Sequence, residues 1–307
     1  MNFTAYKISF KSGVHIGVNS LNDGEFTLHA DTLFSALCTE AVKFGEDTLN
    51  RFVKMFADER TLVSDAFPYF EDLFFLPKPV MHIESADNGG NSVKKKQFKK
   101  LKYITFENFS DFLNGSYEPT FDLEMISNLG RYGLRTSAAV SELEETKPYN
   151  VGVYTFNADC GLYFILGWSA EEERHVFEAL LNSLAYSGIG GRRSTGLGRF
   201  TFTSEAVEDS ILARLSSQNS GRAMTLSISL PTDDEMQKAI DGAEYSIIKR
   251  SGFSGASTQS QQTRNKDLYT FCTGSVFSNL YHGQIVDVSR NASHPVYRYA
   301  KPMWLEV

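Results

Sequence analysis

Apolar and polar residues alternate along Phe3–Phe10 (FTAYKISF), the period of a half-buried β-strand. A loop carrying Gly13, Gly17 and Gly24 follows and leads into LHADTLFSALCTEAVKFG. In that stretch Leu33, Phe34, Leu37 and Val42 recur at helical spacing, Asp31 is the expected N-cap and Gly45 the expected stop. From Phe52 to Pro79 the chain is aromatic with no clear period (FPYFEDLFFLPKP). YITFENFSDFLNG then predicts a small buried helix or hairpin. The stretch from Leu129 to Phe156 has strand-like ends and a polar middle, the pattern of a long protruding hairpin. Gly161–Trp168 (GLYFILGW) predicts a buried strand. Ser169 and Glu172 have the spacing of a capping box, and Val176, Phe177, Leu180, Leu181 and Leu184 give the helix they open its core face. Gly188 ends that helix, and GRFTFTSEAV returns as a strand.

The order is strand, helix, two or more strands, helix, strand, with a long insertion between the halves. That predicts an α+β fold, with residues 1–207 forming a β-α-β-β-α-β ferredoxin-like (RRM-like) unit interrupted at about 80–157. After Val207 the pattern partly restarts. AMTLSISL reads as a strand, TDDEMQKAI as a short helix whose Asp233 and Asp234 favour its positive end, and AEYSIIKRSG as a strand. A polar loop rich in Gly, Ser and Gln covers 251–262, and DLYTFCTGSVF and HPVYRYAKPMWLEV supply further strands. Residues 208–307 are therefore expected to form a second, more strand-rich domain.

Composition narrows the function through its distribution more than its totals. The 307 residues are 42% hydrophobic and 22% charged, with a net charge of −7, which excludes a generally basic nucleic-acid-coating protein. Of the 30 Lys and Arg residues, nine fall in two short acid-free stretches, Lys94–Lys102 (KKKQFKKLK) and Gly188–Arg199. An acidic body with local basic patches points to a specific groove. Cys38, Cys160 and Cys272 are far apart and odd in number, as in a reducing cytosol. No secretory signal or membrane span is evident, so a cytoplasmic protein with no membrane contact is expected.

The candidate chemistry centres on SGIGGRRSTGLGRF, Ser187–Phe200. Gly191 and Gly196 have the spacing of a phosphate-binding loop, but Leu197 stands where its lysine belongs, and GLGRFTF enters a strand instead of a helix. Bare amides at Gly190, Gly191, Gly196 and Gly198 and guanidinium forks at Arg192, Arg193 and Arg199 still suit a phosphodiester chain. Ser194 and Thr195 add donors to phosphate or a 2′-hydroxyl. His15, in the first glycine-bearing loop with Gly17, is either a general base for metal-independent RNA cleavage or a hydrogen-bonding group only. Arg131 and Arg135 flank the predicted hairpin, with Tyr132 for base stacking. Arg250, Arg264 and Lys266 border the polar loop as a second patch, and Asp23 is a lone carboxylate. His29, His82, His175, His282 and His294 share no metal-ligand spacing, so no metal or other cofactor is expected.

These residues resemble those of a known family. GIGGRRSTGLGRF resembles the glycine-rich loop of the RAMP superfamily of CRISPR proteins, which joins the last helix and last strand of a ferredoxin-like domain. FKSGVHIG followed by LHADTLFSALC resembles the amino-terminal signature of the Cas5-like fourth subunit of type III-A (Csm) effector complexes, and KKKQFKKLKYI and LYTFCTGSVF fit the same branch. The resemblance implies two ferredoxin-like domains with a protruding thumb hairpin and a non-catalytic role. It implies a grip on the 5′ repeat-derived tag of crRNA, a large polymerase-like signature subunit and a backbone RAMP subunit as partners, and a guide–target RNA duplex near the thumb. The matching positions are the His15 loop, the Arg192–Arg199 loop and the hairpin from about Leu129 to Phe156. Backbone subunits of the superfamily cut target RNA with an aspartate in their early loop; Asp23 lies in a comparable region in a different context, so that activity is not carried over. A metal-independent crRNA-processing endoribonuclease of the same superfamily is the alternative, but its glycine loop lies near the carboxyl terminus, whereas more than 100 residues follow Phe200 here.

Overall fold

The computed structural model describes residues 1–17, 20–83, 92–139, 147–217, 221–253, 264–290 and 294–307. The first strand, β1 (Asn2–Phe10), lies inside a seven-stranded sheet rather than at its rim. It is followed by α1 (Ala30–Lys43), α2 (Glu46–Ala57), β2 (Thr61–Val63), β3 (Phe67–Phe70) and β4 (Leu73–Pro77). The insertion holds α3 (Ser92–Lys100), β5 (Tyr103–Thr105), α4 (Phe106–Leu113), α5 (Thr120–Ser127) and the paired strands β6 (Gly130–Ala139) and β7 (Lys147–Phe156). Then come β8 (Cys160–Trp168), α6 (Glu171–Ser187) and β9 (Phe200–Ala206). The sheet runs β5-β4-β3-β8-β1-β9, with β2 also pairing β8, and β1 is antiparallel to both neighbours.

Both faces of this sheet are covered, which explains why β8 reads as a continuous apolar run. Successive strand side chains point to opposite faces. Leu162, Phe164 and Leu166 join Tyr6 and Ile8 beneath α1, α2 and α6, where Phe34, Phe56, Phe177 and Leu181 are fully buried. Tyr163 and Ile165 enter the opposite core with Phe75, Phe106 and Phe109.

The C-terminal part holds α7 (Asp209–Ser216), β10 (Ala223–Thr225), α8 (Asp233–Ala239), β11 (Ile247–Arg250), β12 (Leu268–Phe271), β13 (Val276–Phe277), β14 (Gln284–Asp287), β15 (Tyr297–Ala300) and β16 (Trp304–Glu306). Among the described residues its strands form one three-stranded sheet, β13-β10-β16, and two pairs, β11-β12 and β14-β15. Its cores are shared with the first part. Met224, Leu226, Met303 and Leu305 complete the cluster around Tyr163, and Tyr299 packs at 5.6 Å from Phe34 and 5.7 Å from Phe56, centroid to centroid. Residue 207 thus separates sheets without separating cores.

Several local expectations shift. The α2 helix was hidden in an aromatic stretch, although Leu49, Phe52, Val53 and Phe56 have helical spacing. Asp31 does not cap α1. The helix begins at Ala30, whose amide donates to Asp65 Oδ1 at 2.8 Å, and Asp31 is a buried ion-pair partner inside the first turn. Val42 is 57% exposed, off the apolar stripe. The α6 start moves by one residue: the Ala170 amide donates to Glu173 Oε2 at 2.6 Å. The polar loop at 254–263 and the hairpin tip at 140–146 lie outside the described residues. No described helix is long and apolar enough to cross a membrane.

Candidate nucleic-acid interface

The glycine-rich loop leaves α6 at Gly188, in a left-handed conformation with φ of 80°, and is laced to the loop after β1. Gly198 donates to the Gly13 carbonyl at 3.0 Å, Gly191 to that of His15 at 2.8 Å, and Lys11 to that of Arg199 at 2.9 Å. Ser12 Oγ donates to the Gly196 carbonyl at 2.8 Å. A Cβ on Gly198 would lie 1.9 Å from the Ile189 carbonyl oxygen, and one on Gly191 would lie 2.6 Å from His15 Cδ2. Gly190 would likewise meet the His15 carbonyl oxygen at 2.5 Å. The close approach is therefore to the protein itself, Gly190 and Gly191 to the first loop at His15 and Gly198 to Ile189 across the glycine-rich loop. Gly196 differs: its φ is 87° and a Cβ there would meet nothing within 4 Å.

His15 is the pin of this assembly. It is buried, and its Nδ1 lies 2.6 Å from the Gly152 carbonyl of β7. A carbonyl only accepts, so Nδ1 carries the proton. The ring sits between Gly191 and Gly17, whose Cβ would be 3.2 Å from Nε2. Val14 and Tyr154 exchange both backbone hydrogen bonds, at 2.8 and 2.9 Å, and Gly152 donates to Leu21 at 2.8 Å. The first loop, the glycine loop and the base of the β6–β7 hairpin thus form one unit.

On this frame Arg193–Thr195 make a single 3₁₀ turn. The Thr195 amide and hydroxyl both donate to the Arg192 carbonyl, at 3.0 and 2.8 Å. The Arg192 guanidinium lies 4.9 Å from the centroid of Tyr149 on β7, tying the loop to the hairpin. Arg192, Arg193, Ser194 and Arg199 line a groove of about 910 Å³ with Lys43, Tyr186 and Ser187. Arg192, Arg193, Ser194, Thr195 and Arg199 are exposed, and no described carboxylate pairs with any of the three arginines. Lys43 Nζ donates to Glu40 at 2.7 Å and to Ser187 Oγ at 3.0 Å. Burial pushes the Glu40 carboxyl up, but hydrogen bonds from Lys43, Ser183 and Ser187 outweigh it and hold it below its ordinary value. The groove therefore presents an excess of positive charge with donor geometry, which suits phosphate oxygens.

Arg131 and Arg135 are exposed on β6, the outer strand of the hairpin, opposite Thr155 and Val151. Their four-residue separation puts them on one face of the strand. Tyr132 points the other way and donates its hydroxyl hydrogen to the Asn22 carbonyl.

Arg250 is not part of this groove. Its Nε and Nη2 donate to Asp31 at 3.0 and 2.9 Å, and Nη2 also to Thr32 at 3.0 Å; Arg298 reaches the same carboxylate at 2.5 Å. Burial pushes the Asp31 carboxyl up, but the two guanidiniums hold it well below the usual carboxylate range. The expected patch at Arg250 is thus a tie between β11, β15 and α1, and Arg264 is paired with Asp267 at 3.2 Å. The lysine run forms α3, where Lys95, Lys96, Lys99 and Lys100 are exposed and Lys94 pairs with Glu118. Asp23 is exposed, and no cluster of His, Cys, Asp and Glu among the described residues has the arrangement of a metal site.

Sequence reasoning missed Lys43, Tyr149 and Tyr186. Tyr186 alone carried a signal: it falls outside the apolar stripe Phe177, Leu180, Leu181 and Leu184.

Comparison with known proteins adds a family. A model described as the RAMP superfamily matches residues 7–201, and one described as the CRISPR Csm4 C-terminal domain matches residues 218–307. The CRISPR system Cms protein Csm4 of Mycobacterium tuberculosis (strain CDC 1551 / Oshkosh) is 34% identical, covering 99% of this chain and 98% of that protein. Its namesake from Streptococcus thermophilus is 32% identical, covering 100% and 99%. In fold, the chain is similar to one in the crystal structure of the Csm3-Csm4 subcomplex of the type III-A CRISPR-Cas interference complex, with a TM-score of 0.65 at 15% identity, covering 100% of this chain and 99% of that one. A chain of the Csm1-Csm4 cassette in complex with cA4 gives a TM-score of 0.62 at 20% identity, covering 99% and 97%.

Proposed function

We propose, from the premise that this chain belongs to the Csm4 family of RAMP-superfamily CRISPR proteins, that it is the non-catalytic RNA-gripping subunit of a type III-A interference complex. It grips the 5′ repeat-derived tag of crRNA and bridges the large signature subunit, Csm1, to the backbone subunit, Csm3, the two proteins with which its structural relatives are assembled. The observation that carries the reading is the groove in which Arg192, Arg193 and Arg199 stand exposed with no described acid beside them. In such a complex base pairing reads the target, so the protein needs to hold backbone, shape and a short tag.

The first part is read as ferredoxin-like. Its four principal strands lie in the order β9-β1-β8-β3, with α1 and α6 on one face. The β6–β7 hairpin is read as the thumb that meets the guide–target duplex, with Arg131 and Arg135 along it. Its base shares hydrogen bonds with the loop that carries His15, so tag grip and thumb position are mechanically linked.

A role for His15 as general base is disfavoured by its burial and by the commitment of Nδ1 to Gly152. We assign it to positioning. The test of the grip is co-purification of crRNA with complexes carrying Arg192→Ala, Arg193→Ala and Arg199→Ala together. Loss of crRNA is expected; normal loading would remove the loop from the account. Repeat RNA incubated with the protein in EDTA should stay intact. Specific cleavage abolished by His15→Ala would convert the reading to an endoribonuclease.

A further inference from the structure

The last turn of α6 places an aromatic ring in water beside the arginines. Tyr186 is 82% exposed, the most exposed large hydrophobic side chain among the described residues. Its helix buries Phe177, Leu180, Leu181 and Leu184 on the face toward α1, so the Tyr186 ring adds nothing to that core. The ring stands on the wall of the groove lined by Lys43, Arg192, Arg193 and Arg199.

Resting on the reading of this groove as an RNA grip, we propose that Tyr186 is a stacking platform for one unpaired nucleobase of the bound strand. The phosphates flanking that base lie on Arg192, Arg193 and Arg199, and Lys43 is a further cation on the same wall. A groove that joins several unpaired cations to an open aromatic face suits a single-stranded nucleic acid, which offers anionic oxygens and flat π-faces in alternation. An acidic peptide would satisfy the arginines while leaving the ring uncovered. Lys43 is already oriented: its ammonium is fixed between Glu40 and Ser187, which carries it to the groove without neutralising the arginines. Stacking tolerates any base, so Tyr186 contributes grip without sequence discrimination.

The experiment uses the assembled complex loaded with crRNA whose tag positions are replaced one at a time by 2-aminopurine, a base whose emission falls on stacking. Tyr186→Ala is expected to weaken RNA binding about 5- to 150-fold, the range of one lost base stack. The slope of log affinity against log salt should be unchanged, because no phosphate contact is lost. Emission should rise at one tag position, and Tyr186→Trp should restore both affinity and quenching. If Tyr186→Ala binds RNA normally while the triple arginine variant loses it, the stack is wrong and the grip stands. If neither variant affects RNA, both are wrong. If Tyr186→Ala releases a protein subunit with RNA affinity unchanged, Tyr186 is a protein contact and the proposal is overturned.

Discussion

His15 donates its Nδ1 hydrogen to the carbonyl of Gly152, 2.6 Å away across 137 residues of sequence, while a Cβ on Gly191 would press to 2.6 Å from its Cδ2. One imidazole therefore joins the first loop, the glycine-rich loop and the hairpin. Removing it leaves a buried carbonyl without its donor and a void between two glycines. His15→Ala should cost about 1–3 kcal/mol in a urea titration of the protein. It should leave the salt slope of RNA binding intact, since Arg192, Arg193 and Arg199 remain in place.

Gly198 is the least replaceable position in the loop. Its φ is +74°, and a Cβ would lie 1.9 Å from the carbonyl oxygen of Ile189, whose amide donates to the Gly198 carbonyl at 2.9 Å. Gly198→Ala combines left-handed strain with backbone overlap and is expected to cost about 3 kcal/mol or more. Gly196→Ala meets only the strain, about 1–2 kcal/mol, because a Cβ there is in open space. The two thermal midpoints, measured side by side, check the ordering.

The arginines should appear in the ionic-strength dependence. Each single-strand phosphate contact contributes about −0.7 to the slope of log K against log salt. Replacing Arg192, Arg193 and Arg199 with alanine should flatten the slope by about 2 and weaken binding at every RNA sequence alike. Arg250→Ala should leave the slope untouched.

What Arg250→Ala should change is stability. The Asp31 carboxylate is fully buried and held by Arg250 and Arg298, so removing Arg250 takes away two charge-assisted hydrogen bonds while Arg298 still pairs the charge, at a cost of about 1.5–3 kcal/mol. The Asp31 carboxyl is depressed in the folded state. Its contribution is therefore fully present above the ordinary aspartate value of about 3.9 and is lost as pH falls below it toward the folded value. Neutral-pH stability should be flat with respect to this group. The parent should lose the advantage over Asp31→Asn as acid titration proceeds below about pH 4.

Tyr149 offers a finer test. Its ring holds the Arg192 guanidinium at an exposed site, an arrangement that contributes about 0.5–1 kcal/mol. Tyr149→Ala should reduce RNA affinity less than tenfold, and Tyr149→Phe should preserve it.

Much of the frame was legible in the sequence because it follows from period. Alternation gave β1 and β9, the continuous apolar run gave β8, and spacing gave α1 and α6. The hairpin was legible from two strand-like ends around a polar middle. What was not legible depends on partners distant in sequence. Asp31 looks like a cap, yet its partners are 219 and 267 residues away. The glycines at 190, 191 and 198 look like a ligand cradle, but the atoms they approach belong to His15 and Ile189. The arginines were visible as a cluster. That Lys43 and Tyr186 share their groove is a product of α1 and α6 packing side by side, which no local pattern encodes.

The central claim is that the Arg192–Arg199 loop and the hairpin joined to it hold the repeat-derived end of the guide. The most direct measurement is crosslinking mass spectrometry on the native complex, with 4-thiouridine placed along the crRNA. The account predicts crosslinks from the 5′ tag to the peptide spanning Ser187–Phe200 and from nucleotides just beyond the tag to Gly130–Phe156. Tag crosslinks that map only to other subunits, with this loop unlabelled, would contradict it.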